Sequence, residues 1–279
     1  MRTTLDSLDM AYTDQGQGLP ALVFVHGFPL SRGAWQKQVE ALAPSYRVIA
    51  PDLRGLGESQ GPTGNMAGAT SMARYAEDLA LLIRSLGLGP VTLAGHSMGG
   101  YVALAFAERF PELLCGLVLV ATRAGADTPE GAAKRRATAT KVLAEGTAAV
   151  IEDMASKMLA ASNHDAAMAQ QVRALMAGAT PQGLASALLG MADRPDATPR
   201  LAQIKVPTLV ITGADDTLIP PSESELLAKG IRGAELEIIP GAGHLVAFEQ
   251  PEAFNRHLTA WLAQAGRPAA SALALGDPK

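Results

Sequence analysis

A single cysteine, Cys115, occurs in 279 residues, so an internal disulfide is excluded and a reducing, cytoplasmic setting is expected. Its position in Leu114-Cys115-Gly116-Leu117 reads as buried filler. An excess of basic charge is lacking too: the net charge is −4 and no basic run stands out, which argues against a nucleic-acid partner. Apolar runs are cut by Gly, Pro or charge within about ten residues, so no membrane span is expected. The opening Met1-Arg2-Thr3-Thr4-Leu5-Asp6-Ser7 lacks the apolar centre of a signal peptide. No His, Cys and carboxylate cluster has metal-ligand spacing. The Gly-rich Gly55-Leu56-Gly57-Glu58-Ser59 has no following Lys to hold a phosphate and reads as a turn near a pocket. Neither a metal nor a cofactor is expected.

What is present is a chain 48% hydrophobic, long enough to bury one large core and a small appendage. Its most informative segment is Gly95-His96-Ser97-Met98-Gly99, preceded by the apolar run Val91-Thr92-Leu93-Ala94 and followed by a helical pattern from Tyr101. A strand, an abrupt turn and a helix around G-x-S-x-G form the context of a nucleophile elbow. Small residues are needed where the chain reverses around a strained serine. In this chemistry an acid and then a histidine follow the serine along the chain. Downstream, the apolar run at 208–211 leads into Gly213-Ala214-Asp215-Asp216, and the run at 236–239 leads into Gly241-Ala242-Gly243-His244. Both candidates sit just past a strand's carboxyl end, where open α/β sheets bind ligands. On the residues alone the acid is Asp215 or Asp216.

Five ordered segments carry a resemblance over roughly residues 5–264: Val23-Phe24-Val25-His26-Gly27-Phe28-Pro29-Leu30, Asp52-Leu53-Arg54-Gly55-Leu56-Gly57-Glu58-Ser59, the elbow, the G-x-x-D-x-x-x-P stretch from Gly213, and the G-x-G-H stretch from Gly241. The chain resembles the α/β-hydrolase superfamily, and within it the small carboxylesterases, enol-lactonases and cofactor-free perhydrolases. That resemblance implies a mostly parallel central sheet flanked by helices, with an inserted helical cap. It implies Ser97 as nucleophile, His244 as base and Asp216 as acid, and an oxyanion hole made by the backbone N–H groups of Phe28 and Met98. His26 then reads as a local shaper of the oxyanion loop, His96 as structural, and His164 and His257 as surface residues on helices.

Strands are expected at 22–25, 48–50, 91–94, 117–120, 208–211 and 236–239, with helices between them at spacings that suit parallel βαβ units. The core is expected at 1–122 and 206–265, the helical cap at 123–205 and a flexible tail at 266–279. The cap contains Met154, Met158, Met168, Met176 and Met191, readable as core packing or as an adaptable apolar lid. Phe28, Trp35, Met98, Met154, Met158, Leu218 and Leu245 are the expected substrate contacts. Arg32 and Arg123 read as surface residues, each able to bind a carboxylate, and the cap shows no clear anionic pocket.

A serine nucleophile requires an acyl carbon in the substrate, because a serine ether would be a dead end for water. The expected activity is hydrolysis of small to medium carboxylic esters through an acyl-enzyme. Lactone or C–C hydrolysis is the enzymatic alternative, and a slow ligand-binding receptor of the same fold is the alternative of another class. The expected partner is a small-molecule ester or lactone, and the chain is expected to be a monomer or homodimer.

Overall fold

The computed structural model describes residues 1–6, 8–59 and 68–265; the expected tail at 266–279 lies outside them. Eight strands form one sheet: β1 (Arg2–Leu5), β2 (Leu8–Gln15), β3 (Leu22–Val25), β4 (Val48–Pro51), β5 (Val91–His96), β6 (Leu114–Val120), β7 (Thr208–Gly213) and β8 (Glu235–Ile239). Their order is β1-β2-β4-β3-β5-β6-β7-β8. The six strands from β4 to β8 along that order run parallel, while β2 pairs antiparallel with both β1 and β4.

The central strands are buried along their whole length, as expected of a sheet covered on both faces. Alternation still sorts their side chains. Val23, Val25, Leu117, Leu119 and Val210 enter one core cluster, whereas Leu22, Phe24, Val118, Val120, Leu209 and Ile211 enter the cluster on the other face. The β1–β2 hairpin was not among the six strands read from the sequence. Its signal is the alternation Leu8, Met10, Tyr12, all buried, with Asp9 exposed between the first two.

Helices α1 (Gln36–Leu42), α2 (Met72–Ser85) and α3 (Met98–Arg109) connect the first strands. Between β6 and β7 stand α4 (Pro129–Glu145), α5 (Ala148–Ala155), α6 (Ala166–Met176) and α7 (Pro181–Ala192), followed after β7 by α8 (Pro221–Gly230), α9 (Val246–Glu249) and α10 (Pro251–Ala265). The inserted helices start on local chemistry. Thr128 and Thr180 accept the N–H of Gly131 and Gly183 ahead of prolines at the first helical position, and Asp165 accepts from Ala167 and Met168.

From β3 the chain moves to β4 on one side and then to β5 on the other, so the order reverses between β3 and β5. Such a reversal leaves a crevice at the strands' carboxyl ends. The loop beginning at His26 and the turn at Ser97 both open into it.

Candidate active site

Ser97 has φ 53° and ψ −115°, a left-handed backbone that a side chain rarely adopts. It is held there by its own N–H donating to the Val120 carbonyl at 2.9 Å and its carbonyl accepting the Thr122 hydroxyl at 2.7 Å. The turn closes only without side chains: a Cβ on Gly95 would lie 2.3 Å from the Gly99 oxygen, and one on Gly99 would lie 2.4 Å from the Val25 oxygen. Strain of this kind costs about 1–3 kcal/mol and persists only where surroundings over-determine it.

Over the turn, His244 Nε2 lies 2.9 Å from Ser97 Oγ and Nδ1 lies 2.8 Å from Asp216 Oδ2. The other Asp216 oxygen accepts the backbone N–H groups of Leu218 and Ile219, both at 2.9 Å. Asp216 is therefore buried and fixed, whereas Asp215 is exposed and, among the described residues, its backbone N–H donates to the Ala242 carbonyl. Side chains at 97, 216 and 244 meet although up to 147 residues separate them along the chain.

The sequence profile described as "alpha/beta hydrolase fold" matches residues 20–251. The chain belongs to the α/β-hydrolase fold family. A putative 2-succinyl-6-hydroxy-2,4-cyclohexadiene-1-carboxylate synthase of Bacillus subtilis is 32% identical, covering 93% of this chain and 97% of that protein. A 3-oxoadipate enol-lactonase of Acinetobacter baylyi is 28% identical over 93% of this chain and 96% of the relative. A thermophilic esterase from Thermogutta terrifontis, solved with malate bound, superposes with a TM-score of 0.91 at 39% identity, covering 96% of this chain and all of that one. This α/β-hydrolase is a hydrolase with esterase and lactonase relatives.

In this α/β-hydrolase two further histidines frame the site. His26 Nε2 accepts the Leu53 N–H at 2.9 Å, so its Nδ1 carries the proton and donates to the Gly27 carbonyl at 2.9 Å. His96 Nε2 donates to the His244 carbonyl at 2.9 Å, and the two rings lie 4.8 Å apart. Burial pushes both imidazoles below their usual range. For His26 the Asp52 charge opposes the shift; for His96 the neighbouring His244 adds to it. Both rings are neutral props. The Asp52–Ser59 loop supports the same framework: Asp52, fully buried, accepts the Arg32 and Glu58 backbone N–H groups at 2.6 and 2.8 Å.

Two backbone N–H groups beside Ser97 and Gly27 are left outside the local turn and helix hydrogen bonds. Met98 opens α3, so its N–H has no intrahelical acceptor. Phe28 follows Gly27 in a turn closed by the Leu30 N–H on the Gly27 carbonyl at 2.9 Å, which leaves the Phe28 N–H outside that bond.

A cavity of about 130 Å³ is lined by Ser97 and His244 with Phe28, Tyr101, Arg123, Arg135, Met154, Met191, Leu218 and Ile219. Three of the expected substrate contacts, Phe28, Met154 and Leu218, thus share it with Ser97. Four do not. Trp35 is enclosed between Phe24 and Phe254, with ring centroids 4.9 and 5.9 Å away, and meets His96 edge-on at 6.4 Å from beneath. Met98 is fully buried in the main core and does not line this cavity. Met158 and Leu245 pack into a separate apolar cluster with Leu30, Val172, Met176 and Phe248.

Other readings change as well. Arg32 is not a loose surface residue, since it pairs with Asp52 and with Glu58 at 2.7 Å. Arg123 is half-buried in the cavity wall, together with Arg135, which the sequence reading did not select. Cys115 is half-exposed rather than buried, and His164 lies in an exposed loop before α6 rather than on a helix. His257 is on α10 as expected, 3.0 Å from Glu237.

Glu249 was also missed. Its buried carboxylate accepts the Gly243 N–H at 2.7 Å, the Ala160 N–H at 3.1 Å and the Asn163 amide at 2.6 Å. Its sequence signal is an acid that closes the apolar run Leu245-Val246-Ala247-Phe248, five residues beyond His244. Among the described residues, no group of three or more His, Cys, Asp or Glu could hold a metal ion, and no helix is long and apolar enough to cross a membrane.

Proposed function

We propose that this chain is a serine hydrolase that cleaves carboxylic esters of small to medium acyl chain through an acyl-enzyme. The observation that carries the reading is the continuous Ser97–His244–Asp216 hydrogen-bond series beside a cavity that Phe28, Met154, Met191, Leu218 and Ile219 line together with two arginines. Asp216 accepts Nδ1–H and so leaves the Nε2 lone pair toward Ser97 Oγ. As Oγ bonds to the acyl carbon, its proton passes to Nε2, a role typically worth 10²–10⁴-fold in rate. Charge gathering on the carbonyl oxygen meets the N–H groups of Phe28 and Met98; losing one such donor typically costs about 3–4 kcal/mol. Collapse breaks the acyl–alkoxide bond, and the alcohol leaves with the proton from Nε2. Water then attacks the Ser97 ester, giving its proton to His244, and the carboxylic acid departs as the hydroxyl is restored.

Residues 123–205 act in this reading as a cap. Met154, Met191 and Leu218 shape the acyl compartment, with two thioethers that adapt to different chain lengths. The relatives are named for synthase, lactonase and esterase activities. A lactone presents the same acyl carbon, so the enol-lactonase relative supports lactone hydrolysis as the second reading. Repeated turnover of a short-chain chromogenic ester, abolished in Ser97→Ala, tests the proposal. A single stoichiometric burst without turnover would instead favour a receptor, and a graded panel of esters and lactones separates the two hydrolase readings.

A further inference from the structure

Arg123 and Arg135 line the same cavity as Ser97 and His244. Both bond one carboxylate, Asp127: Arg123 at 2.5 Å through Nη2, and Arg135 through Nε. A third guanidinium, Arg194, lies 3.7 Å from Asp127 and stacks 3.7 Å from the centroid of Tyr101, another wall of the cavity. Three fixed positive charges thus converge on one negative charge. Burial pushes the Asp127 carboxyl up, but the Arg135 hydrogen bond and the charges of all three arginines outweigh it and hold it below the usual carboxylate range. Asp127 therefore stays ionised and still offsets only one of them.

The guanidiniums are also under-used as donors. Arg123 Nε and Arg194 Nε are shielded from solvent with no hydrogen-bond partner among the described residues. The acceptor of Arg135 Nη1 is the Met191 thioether at 3.5 Å, a weak one. On the other side of Arg123 and Arg135 lies an adjoining compartment of about 400 Å³, which shares five wall residues with the cavity. Lys134, Lys141 and Lys157 stand there as further cations, against Asp153. Five cations less Asp127 and Asp153 leave an excess of three, or two once Glu145, which pairs with Lys141 at 3.8 Å, is counted. The whole chain, by contrast, carries −4.

We infer that Arg123 and Arg135 form a carboxylate subsite, so that the preferred substrates are esters or lactones bearing a carboxylate a few atoms from the reacting acyl carbon. A planar carboxylate matches the guanidinium fork better than a simple dipole does, and the positive entrance draws an anion inward. The inference rests on the hydrolase reading only for the acyl chemistry; the anion site stands on its own geometry.

The experiment has a kinetic and a binding arm. Monomethyl glutarate is compared with methyl pentanoate to place the carboxylate on the acyl side, and acetoxyacetate with propyl acetate to place it on the alcohol side. Wild-type enzyme should favour the charged member of at least one pair in kcat/KM. That selectivity ratio should fall roughly ten- to hundredfold in Arg123→Ala and Arg135→Ala and recover in part in Arg123→Lys. Glutarate binding, followed calorimetrically without turnover, should be lost in the Arg123→Ala/Arg135→Ala double variant. Circular dichroism reports whether each variant is folded, and Arg123→Lys keeps the charge should the alanine variants fail. Ester turnover with no preference for the charged member and no glutarate binding would overturn the subsite. Glutarate binding that depends on both arginines, without hydrolysis of any ester, would sustain the subsite and sink the esterase reading.

Discussion

Glu249 meets Ala160 through both carboxylate oxygens, each 3.1 Å from the Ala160 amide nitrogen, so one buried side chain ties the loop that carries His244 to the inserted helices. The Gly243 N–H reaches the same carboxylate at 2.7 Å, and the Leu245 N–H donates to the Met158 carbonyl at 2.8 Å. His244 is thus gripped on both sides by contacts outside its own loop.

Replacing Glu249 with Gln turns one acceptor into a donor facing N–H groups. The cost expected is about 1–3 kcal/mol of stability, together with a fall in kcat larger than any change in KM, because the imidazole loses its exact seat. Denaturant unfolding and ester kinetics on the same preparation check this. Unchanged stability and kcat would remove the positioning role.

Asp216→Asn should lower turnover by roughly 10³–10⁴-fold, since an amide no longer selects the tautomer that leaves Nε2 free to take a proton. Asp215→Asn, on an exposed side chain, should change it little. Steady-state kinetics on both variants decide between the neighbours, and the reverse ranking would reassign the acid.

Met154 lines the inner cavity, and Met158 fills the apolar cluster behind it. Met154→Ala should therefore shift activity toward longer acyl chains with little effect on acetate esters. Met158→Ala should cost about 2–5 kcal/mol of stability with a smaller shift in preference. A chain-length series on the two variants tests the division, and equal effects on all esters would contradict it.

Two imidazoles make stability depend on pH. His26 and His96 are held neutral by burial, with proton affinities below those of the unfolded chain. The unfolded state then binds more protons than the folded one once the pH drops below about 6.5. The stabilisation is complete above that value and is lost as the pH falls further, by up to about 2.7 kcal/mol per pH unit while both rings remain neutral. Chemical denaturation between pH 8 and pH 5 measures the slope. His96→Asn should reduce it by about half, and an unchanged slope would show that His96 takes no part.

Much of this was legible in the sequence because it is written in short-range grammar. Apolar runs ending in Gly95-His96-Ser97, Asp215-Asp216 and Gly243-His244 mark where strands finish, and in a parallel sheet strand ends converge. The antiparallel hairpin was less visible because β1 spans four residues and only alternate positions of β2 announce it. Trp35 looked like a pocket residue because it lies close to the oxyanion loop in sequence, yet a short helical turn over Arg32–Trp35 rotates it inward against Phe24 and Phe254. Arg123, Arg135 and Arg194 could not be grouped from spacing. Only the packing of α4 against α7 and the loop after β6 brings them to one carboxylate, and no local motif encodes how helices cross.

The central claim is that Ser97 Oγ, activated by His244, takes the acyl group from substrate. Rapid acid quench during turnover of 4-nitrophenyl acetate, followed by peptide mass spectrometry, measures this directly. The account predicts one acetyl group on the peptide containing Ser97, accumulating with the burst of nitrophenol and absent from Ser97→Ala. Full turnover in Ser97→Ala, or an acetyl group found consistently on another residue, would contradict it.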